Sequence, residues 1–204
     1  MITVHTDVVG SLLRPPQLLQ AREDVAAGHI TQAAFKSIED AAVDAAIALQ
    51  EDAGLDVVTD GEMRRLSFQS QLPEAVDGFG EWDIDAFLWG EWKGVAGVVA
   101  DQATPRPPTL GVTSKLRRKR HLSSEEFTYL RGHTTRIPKI TLTSPSLYAN
   151  FWSAERSTAA YPTLDSFLAD VVDILRDEVA ELVRLGATYI QIDAPHYPLL
   201  LDPQ

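Results

Sequence analysis

The stretch GLDVVTDGEMRR, residues 54–65, places a strand signal directly before a group of charged side chains. It opens with a glycine, runs through two adjacent valines, and closes with two carboxylates and two arginines. β-Rich runs of this kind are typical of strands in a parallel sheet that is covered on both faces. The stretch therefore predicts a short buried strand, Leu55–Thr59, whose exit carries Asp60 and Glu62.

The same plan of helix, glycine, strand and aspartate occurs twice in the chain. In the first unit, Thr31 is predicted to cap a helix that ends at the glycine of the opening stretch. In the second unit, Asp165 is predicted to cap a helix that ends at Gly186, and the strand TYIQID then finishes at Asp193. Helices that alternate with strands are how parallel strands are joined, so the pattern predicts an α/β fold.

Other elements extend this pattern. A helix is predicted over Ser123–Arg131, where Ser123 and Glu126 have the spacing of a capping box. Further strands are predicted at Ile2–Val9, Val95–Ala100, Thr109–Thr113 and Lys139–Thr143.

An open doubly wound sheet and a TIM (β/α)8-type barrel both fit this alternation. Polar groups at the C-terminal ends of several strands favour the barrel, because a barrel assembles its active site there. We count about five or six strands where a closed barrel needs eight. Residues 1–204 are therefore expected to be a single domain that forms the N-terminal portion of an incomplete barrel.

Composition narrows the function classes. The chain has 204 residues, of which 45% are hydrophobic, and it contains no cysteine, which excludes disulfides and Cys-ligated metal within it. A net charge of −11 argues against a nucleic-acid binder. No apolar run is long enough to span a membrane and no signal peptide is evident, which predicts a cytoplasmic protein with small-molecule substrates. The basic cluster at residues 114–126 is interpreted as a solvated surface segment, with an anionic tail such as folate polyglutamate as the alternative ligand.

Polar and aromatic side chains after two other strands are also candidate ligand contacts. Gly10 permits close approach of a ligand, while Ser11 and Arg14 can bind a carboxylate or a phosphate. Trp152, in TLTSPSLYANFW, could form part of an aromatic wall for a planar ligand. Each candidate has an alternative interpretation. The segment with Arg14 could be a turn with a surface arginine, and Trp152 could be a core aromatic. Asp60 and Asp193 could only cap helices or turns.

Four motifs in order, HTDVVGSLLRP, GLDVVTDGEMRR, KITLTSPS and YIQIDAP, resemble the cobalamin-independent methionine synthase family. The resemblance is to its catalytic C-terminal barrel and to the shorter stand-alone proteins similar to it, and it spans essentially the whole chain. It implies a TIM-type barrel in which a zinc-bound thiolate of homocysteine takes a methyl group from 5-methyltetrahydrofolate, or its polyglutamate, to give methionine.

The resemblance also implies roles for individual residues. Gly10 and Ser11 match the segment that holds the amino-acid substrate, and Glu62 matches the carboxylate that binds its amino group. Asp193 matches the acid near the pterin, and Trp152 matches the aromatic that packs on the folate. These roles are chemically coherent, because an ammonium group pairs with a carboxylate and a flat pterin pairs with an aromatic face.

Two departures from the family pattern set this chain apart. The family usually reads Asp-Glu-Pro where this chain has Asp193, Ala194 and Pro195. The family also holds zinc with a His-x-Cys pair, an acid and a second cysteine beyond this strand, and this chain has no cysteine. Zinc is therefore expected for the complete family enzyme, with ligands that come from a C-terminal half or a second chain.

No catalytic or metal-binding residue is assigned within these 204 residues. The chain is expected to be the substrate-binding part of a methyltransferase. The alternatives are a catalytically silent binding or assembly module and a related alkyltransferase that acts on another thiol.

Overall fold

The computed structural model of the chain describes residues 6–82, 110–195 and 197. The predicted strand Val95–Ala100 lies outside these ranges, as does the first half of the predicted strand Ile2–Val9. Residues 6–9 form no regular strand.

Two helices precede the first strand. Helix α1, Pro16–Ala26, was not predicted, whereas helix α2, Gln32–Asp52, begins at the predicted cap. The Thr31 hydroxyl accepts a hydrogen bond from the backbone N–H of Ala34 at 3.1 Å. Thr31 therefore satisfies one of the N–H groups that a helix leaves unpaired at its start.

Within the described ranges the parallel sheet has three strands in the order β1-β4-β5: β1, Val57–Val58, β4, Ile137–Thr143, and β5, Tyr189–Asp193. All three were predicted, with β1 shorter than expected. The register pairs Thr143 with Asp193, so β4 and β5 end at the same edge.

An antiparallel hairpin lies between β1 and β4 in the chain. It follows the short helix α3, Gln71–Ala75, and pairs β2, Val76–Glu81, with β3, Leu110–Arg118. The predicted strand Thr109–Thr113 is confirmed over residues 110–113, which belong to β3, and Thr109 lies outside the described residues. Strand β3 pairs with β2 and is separate from the parallel sheet. The described residues contain three parallel strands, and the count of five or six barrel strands stays a prediction.

Two predicted helix caps are wrong. Helix α5, Leu164–Arg184, is capped by a reciprocal pair, Thr163 and Ser166, and Asp165 lies in its first turn. Helix α4, Ser124–His133, has no side-chain cap from Ser123.

Buried apolar side chains form clusters between the helices and the strands. The largest cluster joins α3, the hairpin, α5 and a 3₁₀ helix at Pro145–Phe151, and its largest fully buried side chains are Leu72, Leu122, Tyr148, Phe151, Tyr161 and Phe167. A second cluster packs α1 and α2 against β1. No helix in the described ranges is long and apolar enough to cross a membrane.

The basic residues of the cluster at 114–126 lie exposed at the end of β3 and in the loop after it, as predicted, whereas Leu122, Ser123 and Glu126 are buried. Arg117 donates a hydrogen bond to Asp77 at 2.8 Å, and Lys119 lies 3.5 Å from the same carboxylate. Lys115 and Arg118 pair with carboxylates on α5, at 3.6 and 3.4 Å. Because acidic neighbours neutralise these cations, nothing in the contacts of β3 favours an anionic ligand there.

Candidate active site

Two predicted motifs meet at the exit of β1. The exposed Ser11 hydroxyl donates a 2.5 Å hydrogen bond to Oε2 of the buried Glu62, across 51 residues of sequence. The backbone N–H of Leu12 donates to the carbonyl of Gly61 at 3.1 Å, and Arg14 Nη2 donates to the carbonyl of Glu62 at 3.0 Å. The segment of residues 10–14 is thus laid along the turn that carries Glu62.

That turn has an unusual backbone. Gly61 has φ +67° and Glu62 has φ +53°, which is uncommon for a residue with a side chain. A Cβ on Gly61 would lie 3.0 Å from the Cβ of Ala46, so the glycine also provides room against α2. The Asp60 carboxylate accepts from the backbone N–H of Glu62 at 3.0 Å and fixes the turn. Strained backbone of this kind clusters at functional sites.

Arg65 links the turn to the rest of the sheet. Its Nη1 donates to Glu62 Oε1 at 3.1 Å, and its Nη2 donates to Glu126 Oε2 at 3.1 Å and to the carbonyl of Thr141 at 2.8 Å. The side chain of Arg65 is 2% exposed. Burial alone would lower the pKa of this guanidinium, but the surrounding carboxylates Glu126, Glu62 and Asp60 raise it.

The site buries more carboxylates than guanidinium groups. Asp60, Glu62 and Glu126 are 2, 3 and 7% exposed and surround the single fully buried guanidinium of Arg65. Burial raises the pKa of Asp60 and of Glu126 against the opposing effect of Arg65. Oδ2 of Asp60 is buried and has no hydrogen-bond partner. A ligand that brings a positive charge and N–H donors would answer both features.

Asp193 lies at the end of β5, beside the end of β4. Its backbone carbonyl accepts from the N–H of Ser144 at 2.9 Å, and its half-buried carboxylate accepts from Gln191 Nε2 at 2.5 Å. The Thr143 hydroxyl donates to the carbonyl of Phe68 at 3.0 Å, which ties the end of β4 to the loop after Glu62. Strands β1 and β5 flank β4, but β1 pairs with Ile137 and Pro138 at the start of β4, whereas Asp193 pairs with Thr143 at its end.

A family model described as the catalytic domain of cobalamin-independent synthase matches residues 4–201. The chain belongs to this family. The methionine synthase of Pyrococcus abyssi is 33% identical to this chain over 192 residues. The alignment covers 93% of the chain and 51% of the Pyrococcus protein. A 5-methyltetrahydropteroyltriglutamate–homocysteine methyltransferase of Synechococcus sp. is 30% identical over 190 residues, 93% of the chain and 23% of that protein.

Solved structures of the family share the fold. A B12-independent methionine synthase from Shewanella sp. W3-18-1, solved in complex with selenomethionine, superposes with a TM-score of 0.69 at 20% identity. The alignment covers 93% of this chain and 51% of that one. This family member spans about half the length of the Pyrococcus and Shewanella proteins.

Two residues of the parallel sheet, Lys139 and Gln191, bind the segment that leads to Ser11. The fully buried Lys139 donates to the carbonyl of Val8 at 2.5 Å and to the carboxylate of Asp7 at 2.9 Å. Gln191 accepts from Lys139 at 2.7 Å and donates to the carbonyl of Val9 at 2.7 Å. Strands β4 and β5 therefore fix the approach of residues 7–9 to the exposed Gly10 and Ser11.

Trp152 lies in the loop after β4. Its indole N–H donates to the carbonyl of Tyr161 at 3.0 Å, and its ring packs against the largest apolar cluster. The core interpretation therefore describes most of its contacts, and a role beside a folate stays a prediction.

Metal ligands do not gather in the described part of the chain. No group of three or more His, Asp or Glu side chains there is arranged to hold an ion, and the sequence has no cysteine. The described residues therefore do not fit the zinc that the family resemblance implies, and His196 lies outside them.

Sequence reasoning missed the residues that organise the site. Arg65 stood in the opening stretch without a role, and Glu126 was interpreted as half of a capping box. A buried arginine beside paired carboxylates is a recognisable signal only when Glu126 is known to lie opposite, 61 residues along the chain. Asp60 was a candidate in the sequence, and the structure adds that one of its oxygens is unpaired.

Proposed function

We propose that this chain is the amino-acid-binding part of a zinc-dependent methyltransferase that transfers a methyl group from 5-methyltetrahydrofolate to homocysteine. The hydrogen bond between Ser11 and Glu62 carries the proposal, because it joins the two motifs that the family resemblance assigns to the amino acid. Family membership and the relatives named as methionine synthases support the reaction type.

The charge of the site supports an ammonium ligand. Oε1 and Oε2 of Glu62 each take one hydrogen bond in the structure, and each carboxylate oxygen can accept two. Glu62 can therefore bind an α-ammonium group without releasing Ser11 or Arg65. Ser11 is an exposed residue in contact with Glu62, and the half-buried Arg14 nearby supplies a cation for the α-carboxylate of the same ligand.

These residues bind and orient the amino acid, and we assign no chemical step to them. Zinc, when bound by the family enzyme, activates the homocysteine sulfur, but the described residues hold no suitable ligand set. Asp193, at the end of β5, would accept hydrogen bonds from the pterin. This division gives the chain substrate selection and leaves sulfur activation to other residues.

Calorimetric titration of the chain with L-methionine and with 4-(methylthio)butanoate tests this proposal. The second compound lacks only the amino group, so the proposal predicts that it binds roughly tenfold or more weakly. Glu62→Gln should abolish this preference, because the variant loses the charge that pairs with the ammonium group. Equal affinity of the wild-type chain for both compounds, or no binding of either, would contradict the proposal.

A second candidate, a catalytically silent binding module, is favoured by the missing metal ligands of the described residues. Both candidates predict methionine binding, and only the first predicts product. The chain should be incubated with zinc, homocysteine and methyl-folate, with and without the C-terminal half of a related synthase. Methionine formed only with that half supports the methyltransferase, and none in either case supports the silent module.

A further inference from the structure

We propose that Arg65 and Glu126 are positioning residues that hold the Glu62 carboxylate in the orientation required to bind an ammonium group. This inference rests on the proposed function. It assigns a part in ligand selection to helix α4, which the family motifs do not include.

The side chain of Glu62 is fixed at both oxygens by groups from different parts of the chain. Ser11 holds Oε2 at 2.5 Å, and Arg65 holds Oε1 at 3.1 Å. The Ser11 contact comes from an exposed loop, whereas the Arg65 contact is buried. Arg65 therefore provides the rigid half of this clamp.

Arg65 is in turn fixed by groups outside the β1 exit. Its second terminal nitrogen donates to Glu126 on α4 and to the carbonyl of Thr141 in β4. Gln71 at the start of α3 donates to the same oxygen of Glu126 at 3.2 Å, which holds that carboxylate from a third side. The planar fork of an arginine matches this arrangement, since it can serve separate acceptors along fixed directions.

Glu126 also sets the charge that Glu62 presents to a ligand. Without Glu126, the whole charge of Arg65 would be available to Glu62, and Glu62 would attract a ligand ammonium less strongly. Loss of geometry and loss of charge balance therefore both predict weaker binding when Glu126 is neutralised. A pre-organised carboxylate also spares the ligand the entropic cost of ordering it.

Arg64 provides a matched control one residue away. Its side chain is 6% exposed and donates to Glu39 and Asp40 on α2, each at 2.6 Å. Arg64 and Arg65 are thus consecutive buried arginines that each bridge to a helix, but only Arg65 contacts Glu62. A purely structural role would make the two positions equivalent in ligand binding.

Titration of Arg65→Lys, Glu126→Gln and Arg64→Lys with L-methionine and with 4-(methylthio)butanoate tests the inference. We expect Arg65→Lys to weaken methionine binding roughly tenfold and Glu126→Gln several-fold, while binding of the compound without an amino group stays unchanged. Arg64→Lys should leave both affinities unchanged. Thermal unfolding checks that the three variants fold, and we expect similar losses of Tm for the two lysine variants.

The outcomes separate this inference from the proposed function. A wild-type chain that prefers methionine, with an Arg65→Lys variant that retains the same preference, would overturn the positioning role alone. Equal losses for both compounds, or a loss in Arg64→Lys as large as in Arg65→Lys, would also overturn it. A wild-type chain without preference for methionine would contradict both proposals.

Discussion

Glu178 and Glu62 are both buried, but the protein uses their hydrogen-bonding capacity to different extents. Glu178, on α5, is fully buried and accepts from the backbone N–H groups of Leu122 and Ser123, each at 2.8 Å, and from the Ser123 hydroxyl at 3.0 Å. His121 Nδ1 lies 3.1 Å from the same carboxylate. Glu178 therefore caps the N-terminus of α4 from another helix. Its oxygens have little hydrogen-bonding capacity left for a ligand.

Glu62 is almost equally buried, but it lies in a group of carboxylates that the protein does not saturate. Its neighbour Asp60 has a buried oxygen without a partner, and the turn that carries both has a strained backbone. Burial is therefore the same in the two regions, and the difference lies in unused hydrogen-bonding capacity. That difference separates a carboxylate that stabilises the fold from one that is available to a substrate.

The largest expected effect is on stability, at Glu178. Glu178→Ala leaves at least three buried donors unpaired, so we expect the free energy of unfolding to fall by about 3 kcal/mol. Urea denaturation measures this loss, and the affinity for L-methionine should not change. Asp173→Ala, which removes an exposed ion pair from the same helix, is the control and should cost much less. Similar losses for both variants would show that Glu178 is not the structural carboxylate described above.

Gly61→Ala should affect both stability and binding. The positive φ and the close Cβ of Ala46 predict a loss of about 2 kcal/mol in the free energy of unfolding, together with weaker binding because Glu62 is displaced. Gly28→Ala is the matched control, since Gly28 has φ +75° but open space around its Cβ position. It should cost less and leave methionine affinity unchanged. Equal affinities in the two variants would contradict a role for the Gly61 turn in holding Glu62.

Asp60→Asn should raise the stability of the fold, by an amount that depends on pH, and weaken ligand binding. Burial raises the pKa of Asp60 above its unfolded value, so its ionised form destabilises the fold. The cost is absent below the unfolded pKa and grows as pH rises toward the folded pKa. We therefore expect Asp60→Asn to be more stable than wild type at neutral pH, with a difference that disappears near pH 3, about a unit below the usual aspartate value.

The same variant should bind L-methionine more weakly at neutral pH, because an amide, unlike the Asp60 carboxyl, cannot ionise to pair with the ammonium group of the ligand. Chemical denaturation from pH 3 to 8 and calorimetry at pH 7 measure the two effects. A variant that is less stable than wild type across this range would contradict the view that Asp60 is held at a cost to stability.

Ser11→Ala has the smallest expected effect. The hydroxyl is exposed and donates one hydrogen bond to Glu62, so we expect a loss of about 1 kcal/mol in methionine binding and little change in stability. Ser37→Ala removes an exposed hydroxyl on α2 that is remote from the site and should change neither quantity. A Ser11→Ala variant that binds as tightly as wild type would show that Glu62 alone sets the affinity.

The residues that follow β1 and β5 could be predicted from sequence, because the helix cap, the apolar pattern and the glycine before each strand indicate the same unit. Thr31, the helix that follows it and the glycine at its end each favour the same unit, and β5 repeats the plan. Helix α1 was missed because only Leu18 and Ala21 of its residues are buried, which leaves a faint apolar pattern. The hairpin was missed because antiparallel pairing of β2 with β3 joins distant segments without a short turn signal.

The centre of the site could not be predicted for the same physical reason. Ser123 and Glu126 have the spacing of a capping box, but Glu178 and Arg65 offer them stronger, charge-assisted partners from other elements. Tertiary contacts thus override a local preference. Glu62 was identified from its place after a strand, whereas the residues that orient it become visible only when α4 is folded against β4.

A crystal structure of the chain with L-selenomethionine is the most direct test of the proposal that Glu62 and Ser11 together bind the amino acid. Anomalous scattering from selenium locates the ligand, and the density of its amino group gives the contact to the protein. We predict an α-nitrogen within hydrogen-bond distance, roughly 3 Å, of the Glu62 carboxylate, with Ser11 beside it. A ligand bound away from the exit of β1, or bound there with its amino group turned away from Glu62, would contradict this prediction.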